Sequence, residues 1–241
     1  MIANTYTERR KISMNEAGPS GYMTPASVMS AFQHIVTEHT NLMGIGFDDV
    51  RAIGIKWVIV KLRMEISRMP KYCEEAEIST WTAAPSKLRF GRSFEIRGAD
   101  GELCVGAYSD WCILSREDDA LVTTDRLTLP YSEHRADRVC GRYRTPRLTT
   151  DENDFCHERV MRYCDLDLNG HVNNIAYIRA ALDCFSAKEL SAPPESFEMA
   201  YKLQCYEGET LRLYRRDDGK KTFIEGKKPD GSVVFTAAVN Y

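Results

Sequence analysis

C-D-L-D-L-N-G-H-V-N-N-I-A-Y, residues 164–177, changes its period halfway along. Asp167, Asn169 and His171 fall at every second position, so an extended segment would present a carboxylate, an amide and an imidazole on one side. Beyond them Ile175, Ile178, Leu182 and Phe185 follow at helical spacing. Asn173 suits the N-cap between the two, because its side chain accepts from the free amides of a first helical turn. Those amides carry partial positive charge, and a developing oxyanion is stabilised beside them. The same D-x-D-x-N-G is also ordinary turn chemistry. It is not a complete calcium loop, since Ala176 stands where the twelfth loop position needs Glu.

Working outward, strand 155–163, loop 164–172 and helix 173–187 repeat strand 5–14, loop 15–23 and helix 24–40 at a constant offset of 149. Thr24-Pro25 opens the first helix with Pro at a favoured position. Val28, Phe32, Ile35 and Val36 give it an apolar stripe, and Gly44 and Gly46 mark its exit. Strands are predicted at 53–68, 75–83, 90–98 and 103–114, then at 197–205, 209–216, 221–227 and 232–240. Asp100-Gly101 and Asp230-Gly231 read as hairpin turns. Residues 116–153 are charged, hold Pro130 and Pro146, and show little periodicity. They read as a linker, since a connection of that length is unusual inside one compact unit. The expected division is 1–115, linker 116–153, and 154–241. Each half is an α+β unit whose lone helix must pack on the apolar face of an antiparallel sheet.

The repeat is unequal. Gly18, Ser20 and Tyr22 stand 149 positions before Asp167, Asn169 and His171, so the first copy has no acid, amide or imidazole there. Chemistry is therefore expected in the second half.

Composition bounds the rest. The 241 residues are 43% hydrophobic and 28% charged, as in an ordinary globular protein. A net charge of −3 gives no overall attraction to nucleic acid or an anionic membrane, and no apolar run spans a bilayer. Eight Cys are scattered without a C-x-x-C pair, which argues against a zinc or redox motif and fits a reducing compartment. The opening residues lack an apolar signal core, so a cytoplasmic protein is expected.

D-L-D-L-N-G-H-V-N-N-I-A-Y-I resembles the signature of the acyl-ACP thioesterases, which release fatty acids from acyl carrier protein. T-P-A-S-V-M-S-A-F-Q-H (24–34), W-V-I-V-K-L-R (57–63), S-T-W-T (79–82) and Y-S-D-W-C-I-L (108–114) also resemble that family, in its order. The resemblance implies a tandem hotdog fold and hydrolysis of a fatty acyl-ACP thioester by water, with no metal or cofactor. It further implies an acyl-housing first half and a catalytic second half. Asp167, Asn169 and His171 are then the candidate catalytic residues. Asn173 and Asn174 are candidates for polarising the carbonyl, and Met29, Phe32, Trp57 and Ile59 for lining the acyl groove.

The chain departs from the family at Y-K-L-Q-C-Y-E-G-E (201–209), where Gln204 replaces a Glu usually assigned as base. Gln can position a water but cannot take a proton, so Asp167 with His171, or Glu207, must do more. Cys205 is a candidate nucleophile by likeness to Cys–His–Asn catalysis, or else a buried strand cysteine. Two basic clusters, Lys87-Arg89-Arg92 and Arg135, Arg138, Arg142, Arg144 and Arg147, are candidate docking sites for the acidic carrier. Acyl-CoA hydrolysis, hotdog dehydration and non-catalytic acyl binding stay open as rival readings. So does a homodimer, although a tandem pair supplies its own partner.

Overall fold

The computed structural model describes residues 3–131, 134–141, 143, 148–219 and 221–241. The first half contains β1 (Thr5–Lys11), α1 (Pro25–Leu42), α2 (Phe47–Ala52), β2 (Ile55–Ile66), β3 (Glu75–Thr82), β4 (Phe90–Gly98) and β5 (Leu103–Ser115). A two-residue β6 (Leu121–Val122) follows. The second half contains β7 (Phe155–Val160), α3 (Asn174–Leu182), β8 (Ser196–Tyr201), β9 (Thr210–Asp218), β10 (Lys221–Lys227) and β11 (Val233–Asn240).

The strands form one sheet in the order β1-β3-β4-β5-β2-β8-β11-β10-β9-β7, with β6 paired to β5. The order reads the same from both ends once β1 is matched to β7, β3 to β9, β4 to β10, β5 to β11 and β2 to β8. The seam is the antiparallel β2–β8 pair, from Lys61 opposite Ala200 to Glu65 opposite Ser196. Arg63 on one side of the seam pairs with Glu198 on the other. This is the tandem hotdog architecture.

The pseudo-symmetry reaches single hydrogen bonds. Gly18 N donates to Tyr22 O at 2.8 Å, and Asp167 N to His171 O at 2.8 Å. Ala17 bridges Met23 as Leu166 bridges Val172. Gly21 and Gly170 occupy the same turn position at φ +78° and +74°, a conformation that costs glycine least. The two loops share a backbone and differ in what they present.

Both helices start where a cap was expected. Thr24 accepts from Ser27 N at 3.1 Å, and Asn173 accepts from Ile175 N at 2.9 Å. The inner face of α1 buries Val28, Met29, Phe32 and Ile35, and each such side chain contributes about 1.5–3 kcal/mol. Phe32 stacks on Phe94 of β4 with ring centroids 4.6 Å apart. The helix α3 packs against both α1 and β10.

Several predicted boundaries move. The predicted strand 197–205 ends at Tyr201, because Lys202 N and Leu203 N both turn to Val234 O. Gln204 and Cys205 therefore lie beyond the strand. The helix predicted to reach 187 ends at Leu182. The extra residues of the first half fold into α2, which packs on β2 and buries Val50 in a cluster with Ile55, Phe90 and Ile113.

The linker is held against the sheet. The Arg135 guanidinium lies 3.8 Å from the Trp81 ring centroid, and Arg138 the same distance from Tyr108. Val139 O comes so close that a Cβ added at Gly106 would sit 2.4 Å from it. These two arginines are engaged by the sheet. Arg142, Arg144 and Arg147 lie outside the described residues.

Candidate active site

The loop 164–172 is braced before it does any chemistry. Asp165 is buried and accepts from Arg159 Nη2 at 2.6 Å and from Arg162 N at 3.0 Å. Its carbonyl accepts from Asn173 N at 2.7 Å, which fixes the approach to α3. Val172 N donates to Cys205 O at 2.9 Å, so residues 203–206 run alongside the loop.

Asp167 turns one carboxylate oxygen inward, where Oδ1 accepts from Asn169 N at 2.8 Å and His171 N at 3.3 Å. It thus does the work of a turn residue, and among the described residues Oδ2 has no hydrogen-bond partner. Asn169 Oδ1 accepts from Arg116 Nη1 at 3.0 Å. A guanidinium has only donors, so this contact fixes the amide orientation and leaves the Asn169 NH₂ to donate elsewhere.

The His171 ring packs edge-on against Tyr206, with centroids 5.2 Å apart. Burial first, and the Lys56 ammonium second, hold its pKa below the ordinary value, against an opposing pull from Asp167 and Asp119. The imidazole is therefore neutral near pH 7 and able to accept a proton.

Two hollows meet at this loop. One is an apolar cavity of about 900 Å³ whose walls include Val36, Phe47, Trp57, Phe90 and Trp111, and whose rim includes Asp167, Asn169, Asn173 and Asn174. Tyr163 and Leu168 also line it while remaining 80% and 83% exposed, so the entrance has a greasy edge. The other is a polar cleft bounded by Lys56, Arg116, Asp119, Asn169 and His171. Lys56 pairs with Asp119 there at 2.6 Å. Asn169, Lys56 and Arg116 belong to both hollows.

At the start of α3, Asn173 Oδ1 accepts from Ile175 N, which leaves the Asn173 NH₂ to donate elsewhere. The next backbone amide, Asn174 N, has no partner among the described residues, and Asn174 lines the cavity. The helix end can therefore offer one hydrogen bond beside the loop.

The candidates do not all gather there. Trp57 lines the cavity, tied to Ile45 O by Nε1 at 3.0 Å and edge-on to Phe90. Met29, Phe32 and Ile59 do not line it; Met29 is 1% exposed in the main core, because its helical position faces the sheet below the cavity. Gln204 lines neither hollow, although its Oε1 is buried without a partner among the described residues. Cys205 is 0% exposed, and burial pushes its thiol up to about 11. Its backbone N–H donates to Tyr177 Oη at 2.9 Å. Arg92 of the proposed docking hairpin is buried, so it cannot meet a carrier protein.

Lys56 and Arg116 were not foreseen. They come from the first half, at the start of β2 and just past β5, so the polar chemistry is shared between the halves. Sequence offered no signal for this, because the β2–β5 pairing that joins Lys56 to Leu114 is a long-range register. Among the described residues no cluster of three His, Cys, Asp or Glu is placed to hold a metal ion, and no helix is long and apolar enough to cross a membrane.

Comparison with known proteins bears on this arrangement. The family model "Acyl-ACP thioesterase N-terminal domain" matches residues 3–125, and "Acyl-ACP thioesterase C-terminal domain" matches 148–231. A chloroplastic oleoyl-acyl carrier protein thioesterase of Coriandrum sativum is 24% identical over 225 residues, covering 83% of this chain and 59% of that one. A chloroplastic palmitoyl-acyl carrier protein thioesterase of Cuphea hookeriana is 25% identical over 233 residues, covering 91% and 53%. The chain thus spans about half the length of the curated relatives it matches.

Among solved structures, an acyl-ACP thioesterase from Bacteroides thetaiotaomicron superposes with a TM-score of 0.86 at 23% identity, covering 98% of this chain and 97% of that one. A 12:0-ACP thioesterase from Umbellularia californica gives 0.85 at 18%, covering 100% and 98%. These likenesses establish the fold. Together with family matches that take in both halves, they show that the chain belongs to the acyl-ACP thioesterase family.

Proposed function

We propose that this protein hydrolyses the thioester between a fatty acyl chain and acyl carrier protein. The observation that carries the reading is the position of the Asp167–Asn169–His171 loop between an apolar cavity and a polar cleft. An acyl chain buried in the cavity brings its thioester to the rim, where water arrives from the polar side.

The geometry supports a division of roles. The Asn169 NH₂, oriented by Arg116, and the Asn174 amide supply hydrogen bonds to a carbonyl oxygen as it gains charge. Neutral His171 accepts the proton of the attacking water as the C–O bond forms, and the imidazolium returns it to the sulfur as the C–S bond breaks. The free oxygen of Asp167 orients that water. Gln204 lines neither hollow and is assigned no proton transfer.

The test is turnover by the purified chain on acyl-ACP and acyl-CoA of graded length, with liberated thiol measured. Release from acyl-ACP at a higher kcat/KM than from acyl-CoA supports the reading. Faster release from acyl-CoA would reassign the carrier. Stoichiometric binding without release of thiol would overturn hydrolysis.

A further inference from the structure

The first half reaches the polar cleft through one turn. Strands β5 and β6 pair Ile113 with Val122 and Leu114 with Leu121, and Ser115 N donates to Ala120 O at 2.9 Å. Residues 116–119 are thus a tight connection. Arg116 N donates to Gly54 O at 2.9 Å, which pins the turn to the residue before β2. Two side chains of the turn then make contacts at the site. Arg116 reaches Asn169, and Asp119 meets Lys56, the second residue of β2. The hydrolysis proposed above uses the first contact and not the second.

The Lys56–Asp119 pair is lopsided. The Lys56 side chain is 9% exposed and that of Asp119 53%. Nζ lies 2.6 Å from Oδ1, and among the described residues this is the only ion pair of Lys56. A buried ammonium without a carboxylate is costly. Asp119 meets it from a left-handed backbone at φ +58°, a conformation that Asp and Asn adopt more readily than most residues. The acid before it turns back on its own loop, where Asp118 Oδ1 accepts from Ala120 N at 3.2 Å.

His171 faces this pair. Charges come to the imidazole from three elements: Lys56 of β2, residues Arg116, Glu117, Asp118 and Asp119 of the turn, and Asp167 of its own loop. The segment 203–206 contributes the Tyr206 ring. During hydrolysis His171 gains a proton from water as the C–O bond forms and passes it to sulfur as the C–S bond breaks. Between the two transfers it is a cation beside the Lys56 ammonium. Like charges in a half-buried cleft repel, and a base that resists protonation is a poorer catalyst.

We infer that Asp119 is a positioning residue for this step: by holding the Lys56 ammonium and cancelling its charge, it lets His171 carry the proton between water and sulfur. The first half would then supply a carboxylate that acts on the reaction through Lys56, without meeting the acyl chain. The inference rests on the thioesterase reading for the proton's route, and a measurement without substrate separates the two.

The test titrates the His171 ring by NMR in the full chain, with His171→Gln identifying its signal. Asp119→Asn keeps the left-handed turn and an acceptor for Lys56 while removing the charge. Asp119→Gly removes the same charge by a second route, at a φ that costs glycine least. Either variant is expected to lower the His171 midpoint by about half a unit or more. That shift should shrink by more than half when Lys56→Met is already present. In steady-state hydrolysis of one acyl-ACP at pH 7, Asp119→Asn should lower kcat by about three- to tenfold with KM nearly unchanged. The acid limb should move to lower pH, and Lys56→Met/Asp119→Asn should regain most of the loss.

An unmoved His171 midpoint in a folded Asp119→Asn or Asp119→Gly overturns the inference. An equal shift with and without Lys56 also overturns it, because Asp119 would then act on the imidazole directly. Failure of both variants to fold would make the pair a folding device and defeats the inference as well. The titration is read without turnover, so a chain that does not hydrolyse acyl-ACP still reports the effect of Asp119, and normal hydrolysis with an unmoved midpoint removes only Asp119.

Discussion

Cys205 gives the sharpest test of which group begins the reaction. Its thiol is fully buried, and burial raises its pKa to about 11. At pH 7 the thiolate, which is the nucleophilic form, is then about one part in 10⁴. A route through Cys205 would also exchange one thioester for another and leave hydrolysis still to be done. Cys205→Ala removes one buried sulfur, worth about 1–2 kcal/mol of stability, and keeps the backbone bonds to Val172 and Tyr177. Initial-rate thiol release with one acyl-ACP substrate should therefore show kcat/KM within about threefold of wild type. Loss of a true nucleophile costs on the order of 10⁴–10⁶. Acid-quenched reactions should show no acyl mass on the protein. An acyl adduct mapped to Cys205, together with an inactive but folded Cys205→Ala, would refute the argument.

The neutral state of His171 predicts an acid limb. Because burial first and the Lys56 ammonium second lower its pKa, the acid limb of kcat/KM should lie below that of an ordinary histidine. Lys56→Met removes a repelling cation and should move that limb to higher pH; an unmoved limb would assign it to another group. His171→Ala should lower kcat/KM by about a hundredfold or more. Asp167→Asn keeps an oxygen for the Asn169 and His171 amides, so a similar loss with an unchanged melting temperature would be chemical, whereas full activity would leave Asp167 only its turn role. Arg116→Leu frees the Asn169 amide to flip and should cost about 1–2 kcal/mol of transition-state binding, roughly five- to thirtyfold in kcat/KM. Met29→Ala should lower stability by about 2–5 kcal/mol without changing chain-length preference, whereas Trp57→Ala should shift the preference; the opposite pattern would relocate the acyl chain.

Local patterning carried the fold. The shared turn of Gly18–Tyr22 and Asp167–His171, the two N-caps and the D-G hairpins are all written in adjacent residues, and each lies where spacing put it. The seam between β2 and β8 is not written that way, because strand pairing across halves depends on which edges remain open after each half folds. The same limit governs the site. Asp167, Asn169 and His171 are neighbours in sequence and were legible there. Lys56 and Arg116 reach them only through the sheet. Met29 illustrates a different failure: helical periodicity marks it as inward-facing, but core and cavity lie on the same side of α1. Arg92 reads as a surface charge in a hairpin until β4's alternation shows which way it faces.

The single sheet carries a consequence for how such a protein can change. In a symmetric pair of separate subunits, every substitution is made twice, and a charge buried in one groove is buried in both. Here the two copies of the loop and of the sheet are written by different codons. Gly18 and Asp167 answer to different selection. The cavity rim draws on residues from both halves of one chain, so dilution cannot take the site apart as it would a dissociating dimer. Activity per chain should stay constant to the lowest concentration at which product can be detected.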